Sequence, residues 1–167
     1  MPMTLPVPIE FRLPEGWMPA APPDDVALPD VAFAAVHPHP DHGFTANITV
    51  VGEVPPEAAT LAELADESAL RLREAAGPVV VAHRREVGSA DAPALTQWLT
   101  FSAVVGGTRH DLVQSQVFLT FPDTHDPHRR AVIRLALTAT ATQHEEVLRD
   151  FQDFVRTVGP GTGEEGA

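Results

Sequence analysis

Cysteine, lysine and tyrosine do not occur among the 167 residues. Without cysteine there is no disulfide framework, no thiolate zinc site, no thiol nucleophile and no lipid-anchor cysteine in this sequence. Because all eleven basic residues are arginine, a P-loop lysine, a Schiff-base lysine and a lysine general base are excluded as well. Long apolar runs are also missing: no stretch approaches the ~18 apolar residues of a membrane span. The start, MPMTLPVPIEF, carries neither a cationic segment nor an apolar one, so a cytoplasmic protein without membrane insertion is expected. Positive charge is scarce, with 11 basic against 23 acidic residues and a formal net charge of −12. Such a field repels phosphate backbones, and no nucleic-acid partner is expected.

What is present reads as one domain over residues 1–160 with a disordered tail over 161–167, where GTGEEGA has too little apolar content to order itself. Ile9 to Leu13 alternates apolar and charged residues, the period of a half-buried strand, and Pro14-Glu15-Gly16-Trp17 turns it. Pro19 to Pro29 reads as an extended loop. Strands at Val31 to Val36 and Phe44 to Val51 form a hairpin around HPHPDHG. Thr60 opens a helix with a capping-box spacing to Glu63, buries Leu61, Leu64, Ala65, Ser68 and Leu72, leaves Leu70 unexplained, and stops at Gly77-Pro78. Four strands follow, at Val79–Val87, Ala94–Val105, Arg109–Phe121 and Ala131–Thr140, and Gly106-Gly107 joins two of them tightly. A second helix is predicted from Thr142, capped by the spacing to Glu145, with an apolar stripe running to Val158 and a stop at Gly159-Pro160. Clean alternation in the long strands indicates an antiparallel sheet with one apolar and one polar face. The fold class is therefore α+β.

Few residues suggest chemistry. His37, His39 and His42 with Asp41 are a possible ligand set for a divalent cation, but Pro38 and Pro40 hold the loop extended and spread the side chains, so no metal and no cofactor is expected. His125, Asp126 and His128 form a similar short group. None of the four serines lies in G-x-S-x-G, and alternation sends His110 to the face opposite Asp111 and Ser115, so these three form no triad. The acid pairs Asp24-Asp25, Glu145-Glu146 and Glu164-Glu165 read as solvated or dipole-compensating. The polar strand face is the remaining candidate. Asn47, Arg84, Gln114, Gln116 and Arg134, with Trp98 as a flat anchor, are expected either to line a partner-binding surface or to form the wet side of a one-sided sheet.

The series FRLPEGW, FTANITV, a capped helix, LVQSQVF, VIRLALTAT and FQDFVRTV resembles the PsbP-like superfamily, in particular its actinobacterial LpqN-like branch, from about Ile9 to Val158. The resemblance implies a curved antiparallel sheet of six to seven strands with helices packed around it, an α/β/α sandwich. It implies a non-enzymatic accessory or binding protein and carries over no catalytic residue. This sequence departs from LpqN-type lipoproteins in having no export signal and no lipobox cysteine; related secretion chaperones act in the cytoplasm. The expected partner is an unidentified protein or peptide held on the sheet face or edge, and a homodimer through an exposed edge is compatible with that. Two alternatives stand beside it: a small-molecule or lipid carrier with a cavity between helix and sheet, and a histidine-metal enzyme.

Overall fold

A computed structural model describes residues 6–20, 31–122 and 129–161. Its strands are β1 (Ile9–Glu10), β2 (Met18–Pro19), β3 (Val31–Val36), β4 (Asn47–Glu53), β5 (Val79–Gly88), β6 (Pro93–Val105), β7 (Thr108–Pro122), β8 (Arg130–Thr140) and β9 (Gly159–Pro160). Helix α1 spans Leu61–Ala76 and helix α2 spans His144–Thr157. Seven strands make one sheet in the order β2-β3-β4-β8-β7-β6-β5, antiparallel throughout, and β1 pairs with β9 as a separate clip. This is the expected α+β architecture, with one helix on each face.

The turns follow from backbone freedom. Gly106 and Gly107 both have positive φ, 60° and 82°, which lets two residues reverse the chain between Val105 and Thr108 with a twist that suits the strands. The HPHPDHG hairpin does the same at His42 and Gly43, with φ of 53° and 88°, closed by reciprocal backbone bonds between Asp41 and Phe44 of 2.8 and 2.9 Å. Histidine is among the residues that tolerate this region best after glycine.

Alternation fixes what each face buries. One face presents Ile48, Val50, Ile133, Leu135 and Leu137 to Val147, Phe151 and Phe154 of α2, all effectively without solvent exposure. Phe11 stands edge-on to Phe154 at 5.3 Å and thereby packs the β1–β9 clip over the helix end. The other face packs Leu95, Phe118 and Val132 under Ala65 of α1, and Val79 and Leu99 under Ala69. Thr60 caps α1 as its spacing predicts, its hydroxyl accepting from the Glu63 N–H at 3.1 Å while the Glu63 carboxylate accepts from the Thr60 N–H at 2.8 Å. Leu70 stays 52 % exposed, and nothing in the structure explains it.

Several expected boundaries are corrected. The first strand is two residues, not five, because the Arg12 N–H leaves the ladder and donates to Thr157 Oγ1 at 2.8 Å. The strand expected from Phe44 begins at Asn47, since Phe44 closes the turn. Helix α2 starts at His144 without a side-chain cap, because Thr142, the expected capping residue, donates its hydroxyl to Asp41 Oδ2 at 2.6 Å. Gly159-Pro160 does not merely stop the helix; it pairs with Ile9 and Glu10. Met18 and Pro19 are a short edge strand, the Ala20 N–H donates to the Ala34 carbonyl at 2.9 Å, and Gly161, expected in the disordered tail, donates to the Pro8 carbonyl at 2.9 Å, while residues 21–30 with Asp24-Asp25, the His125 group and residues 162–167 with Glu164-Glu165 lie outside the described residues.

Candidate functional site

Helix α1 lies over part of the polar strand face and buries two of its glutamines. Gln97 is fully buried and Gln116 is 2 % exposed. The Gln97 amide is completely satisfied: its oxygen accepts from Arg84 Nε and the second guanidinium nitrogen at 3.0 and 2.8 Å, and its nitrogen donates to the Ala65 carbonyl at 3.1 Å and Gln116 Oε1 at 2.7 Å. Gln116 in turn donates to Ser68 Oγ and to Gln114, whose amide donates to Thr138 Oγ1. Arg134 reaches Ser68 at 3.2 Å, and Arg84 ends the chain on Asp66 of α1 at 2.7 Å. Three of the six expected partner-binding residues, Arg84, Gln116 and Arg134, thus bond to α1, and Gln114 reaches it only through Gln116. Asn47 donates to the nearby Thr45 carbonyl at 3.2 Å. Between α1 and the sheet, the gap bounded by Leu64, Ser68 and Phe118 has a volume of about 10 Å3, room for one water.

Trp98 belongs to the opposite face. In the β6–β7 register Trp98 stands against Ser115 while Gln97 stands against Gln116, so the expected set is split by the sheet. Helix α2 lies over β8 and leaves the β5–β6 half of its face bare. There Val80, Val87, Trp98 and Val104 are 62, 38, 37 and 64 % exposed, and the pairings Val80 with Thr100, His83 with Trp98 and Val87 with Ala94 place them on one side. The indole is wedged between His83, at 6.0 Å, and His144, edge-on at 5.2 Å. Sequence reasoning named Trp98 but missed this face; Val104 is in phase with Trp98 along β6, but Val80 and Val87, seven residues apart, share a face only because the register slips between Val81 and His83.

His144 also exchanges a hydrogen bond with Ser115 Oγ through Nε2 at 2.8 Å. The pair is 6 and 2 % exposed, and among the described residues no carboxylate completes it. No substrate reaches a serine so placed; the bond ties the first turn of α2 to β7. Asp111, four residues before Ser115, accepts instead from Ser102 at 2.8 Å. Burial pushes the His144 pKa below its ordinary 6.5. The folded protein therefore binds fewer protons than the unfolded chain, and stability falls as pH drops through the unfolded value of about 6.5 and levels off below the folded one. Urea midpoints at pH 8 and pH 5 are expected to show this loss, and His144→Gln is expected to reduce it.

At the HPHPDHG hairpin the histidines do not converge. The His39 N–H donates to His37 Nδ1 at 3.1 Å, the His37 ring lies edge-on to Trp17, and His42 Nδ1 pairs with Asp41 Oδ1 at 3.1 Å. Among the described residues no three His, Cys, Asp or Glu side chains group in metal-binding geometry. Asp41 is instead a clamp: hydroxyl bonds from Thr140 and Thr142 and from the His42 ring lower its pKa from 3.8 to about 2 and fasten the hairpin to the β8–α2 connection. A surface groove of about 750 Å3 lies elsewhere, between Pro55 and Pro56, the start of α1 and the β5–β6 turn.

By sequence, no protein-family model and no curated protein matches the chain. Solved structures do match by shape. LpqN, involved in cell envelope biogenesis of Mycobacterium tuberculosis, aligns with a TM-score of 0.61 at 12 % identity over 90 % of this chain and 81 % of its own. Cyanobacterial PsbP from Synechocystis gives 0.60 at 16 % over 92 % and 86 %. The Saccharomyces cerevisiae Ran-binding protein Mog1p gives 0.59 at 15 % over 91 % and 89 %. With a seven-stranded antiparallel sheet, a helix on each face and these three neighbours spanning nine-tenths of it, the chain has the PsbP-like fold.

Proposed function

We propose that this chain is a non-enzymatic binding protein that holds a protein partner against the bare half of the α2-side sheet face, centred on Trp98. One observation carries the reading: Val80, Val87, Trp98 and Val104 of β5 and β6 are exposed on a single face, whereas on the other face α1 packs over Leu95, Gln97 and Leu99 and the exposed Val105 and Met18 lie at the hairpin end and the far edge strand. Exposed apolar side chains gathered on one face, here interspersed with Thr96, Thr100 and Ser102, mark interaction sites, and a tryptophan among them is a common energetic anchor. That the yeast neighbour is a Ran-binding protein agrees with a binding role. Among the described residues no helix is long and apolar enough to cross a membrane.

A photo-crosslinking amino acid placed at Val104 in the protein's own organism is expected to trap a discrete protein adduct, and the same probe at Leu70 on α1 is not. Adducts at Leu70 with none at Val104 would show that the partner sits elsewhere. A second reading, carriage of a small apolar molecule, is favoured by the 750 Å3 groove, whose size falls in the range of ligand sites. Native mass spectrometry of the protein isolated gently from its organism decides it: a discrete small added mass supports carriage, and a bare 17.9 kDa chain counts against it.

A further inference from the structure

Resting on the carrier reading, we infer that the groove beside the start of α1 takes an aliphatic organic ammonium, a free small molecule with one cationic end. Shape is the first ground. The groove lies on the α1 side of the sheet where β5 turns into β6, and its volume of about 750 Å3 falls within the roughly 300–1,000 Å3 of ligand sites. Pro55, Leu61, Leu64, Pro93 and Val132 supply apolar walls that shelter a short alkyl chain from water.

Charge gives the head group. Of the charged side chains lining the groove, Glu57 and Glu86 are acidic and Arg130 is basic, so the lining keeps one net negative charge even with Arg130 fully balanced. Both carboxylates are exposed, and the ion pairs among the described residues involve neither. Strand register separates Glu86 from Arg130. Glu86 stands opposite Leu95, Leu95 opposite Phe118 and Phe118 opposite Arg134, which puts Arg130 three strand spacings across and four residues along. At about 4.7–4.9 Å per spacing and ~3.4 Å per residue the two backbones are roughly 20 Å apart, too far for the side chains to meet. Arg84, two residues from Glu86 on the same face, is bound to Asp66 at 2.7 Å. The long-range field agrees, because a net charge of −12 enriches cations at the surface and depletes anions.

Other head groups fit worse. The hydroxyls that would suit an uncharged polar head are engaged within the chain: Thr60 accepts from the Glu63 N–H and Ser89 from the Ala92 N–H, both at 3.1 Å, and Thr120 donates to the Pro93 carbonyl at 2.7 Å. The first turn of α1 does not recruit an anion either. Its own Glu63 carboxylate accepts from the Thr60 N–H at 2.8 Å and lies at the positive end of the helix dipole.

The test titrates the full chain with three probes of one chain length, octylammonium, octanoate and octanol, and follows the backbone amide resonances by NMR. Octylammonium is expected to shift the amides of Leu61, Ala62 and Gly88 selectively, to bind at least ~3-fold more tightly than octanol, to exceed octanoate by a wider margin, and to weaken as salt rises. Glu57→Gln/Glu86→Gln is expected to remove the preference over octanol and leave octanol affinity unchanged. Glu74→Gln/Glu146→Gln, an equal change of charge on exposed residues outside the groove, is expected to keep that preference. Its loss in both double variants would show that the overall field alone acts and would overturn the inference, as would tighter binding of octanoate. Equal binding of octanol and octylammonium at the groove removes the ammonium and keeps the carrier; no groove shift with any probe removes both.

Discussion

Phe154→Ala is expected to lower the unfolding free energy by about 4 kcal/mol, the middle of the range for deleting a buried phenyl ring. Phe154 has no solvent exposure, and its ring meets Phe11, far away in sequence, edge-on at 5.3 Å and Phe151 of its own helix stacked at 6.3 Å. The site collapses poorly, because the β1–β9 clip is held from both ends by pairing and cannot move inward to fill the void. A loss of this size is a large share of the 5–15 kcal/mol typical of whole domains. Urea denaturation at pH 8 measures it. A change below ~1.5 kcal/mol would mean that the clip contributes little to seating α2.

Gln97→Ala comes next, at about 3 kcal/mol, for a different reason. The substitution leaves few new apolar contacts to lose but orphans the groups that Gln97 satisfies. Arg84 suffers least, since its side chain is 26 % exposed and keeps Asp66. The Ala65 carbonyl retains the ladder of its own helix. The main cost falls on Gln116, 2 % exposed, whose Oε1 loses its donor in a closed space, and on the cavity itself. Gln97→Met, which keeps the volume and removes the hydrogen bonds, is expected to cost about 2 kcal/mol, so the difference between the two variants separates the cavity from the orphaned polar groups. Hydrogen exchange in α1 should rise in both, because the network joins that helix to β5, β6 and β7.

The two helices are therefore held by contrasting means, and this bears on function. Helix α2 is seated mainly by an apolar stripe, with the His144–Ser115 bond at its first turn, and α1 by apolar contacts of Ala65 and Ala69 together with a chain of directional bonds from Asp66 through Arg84, Gln97, Gln116 and Gln114 to Thr138. A network of that kind fixes one register of the helix on the sheet. Had the same amides faced water, they would have formed the polar surface that alternation suggests. Periodicity separates two faces of a strand but does not report which face a helix from elsewhere in the chain will cover.

Much was legible in the residues alone. Period-2 alternation located β7, β8 and most of β4, because one face of each must be buried and side chains alternate. Thr60 and Glu63 located the start of α1, because the bonds that cap it span three residues. Local chemistry failed where a distant group competed: Thr142 has the spacing of a cap, but Asp41, about a hundred residues away, takes its hydroxyl. The same holds for His144, whose partner Ser115 sits 29 residues off in β7. Composition, periodicity and turn chemistry are short-range or summed quantities, and they determined the α+β class, the acidic field, the strands and the capped helix. Only the tertiary structure decided that the glutamine face is buried, that Trp98 stands on the other side, and that the bare apolar surface lies over β5 and β6, because those facts depend on which long-range partners win each side chain.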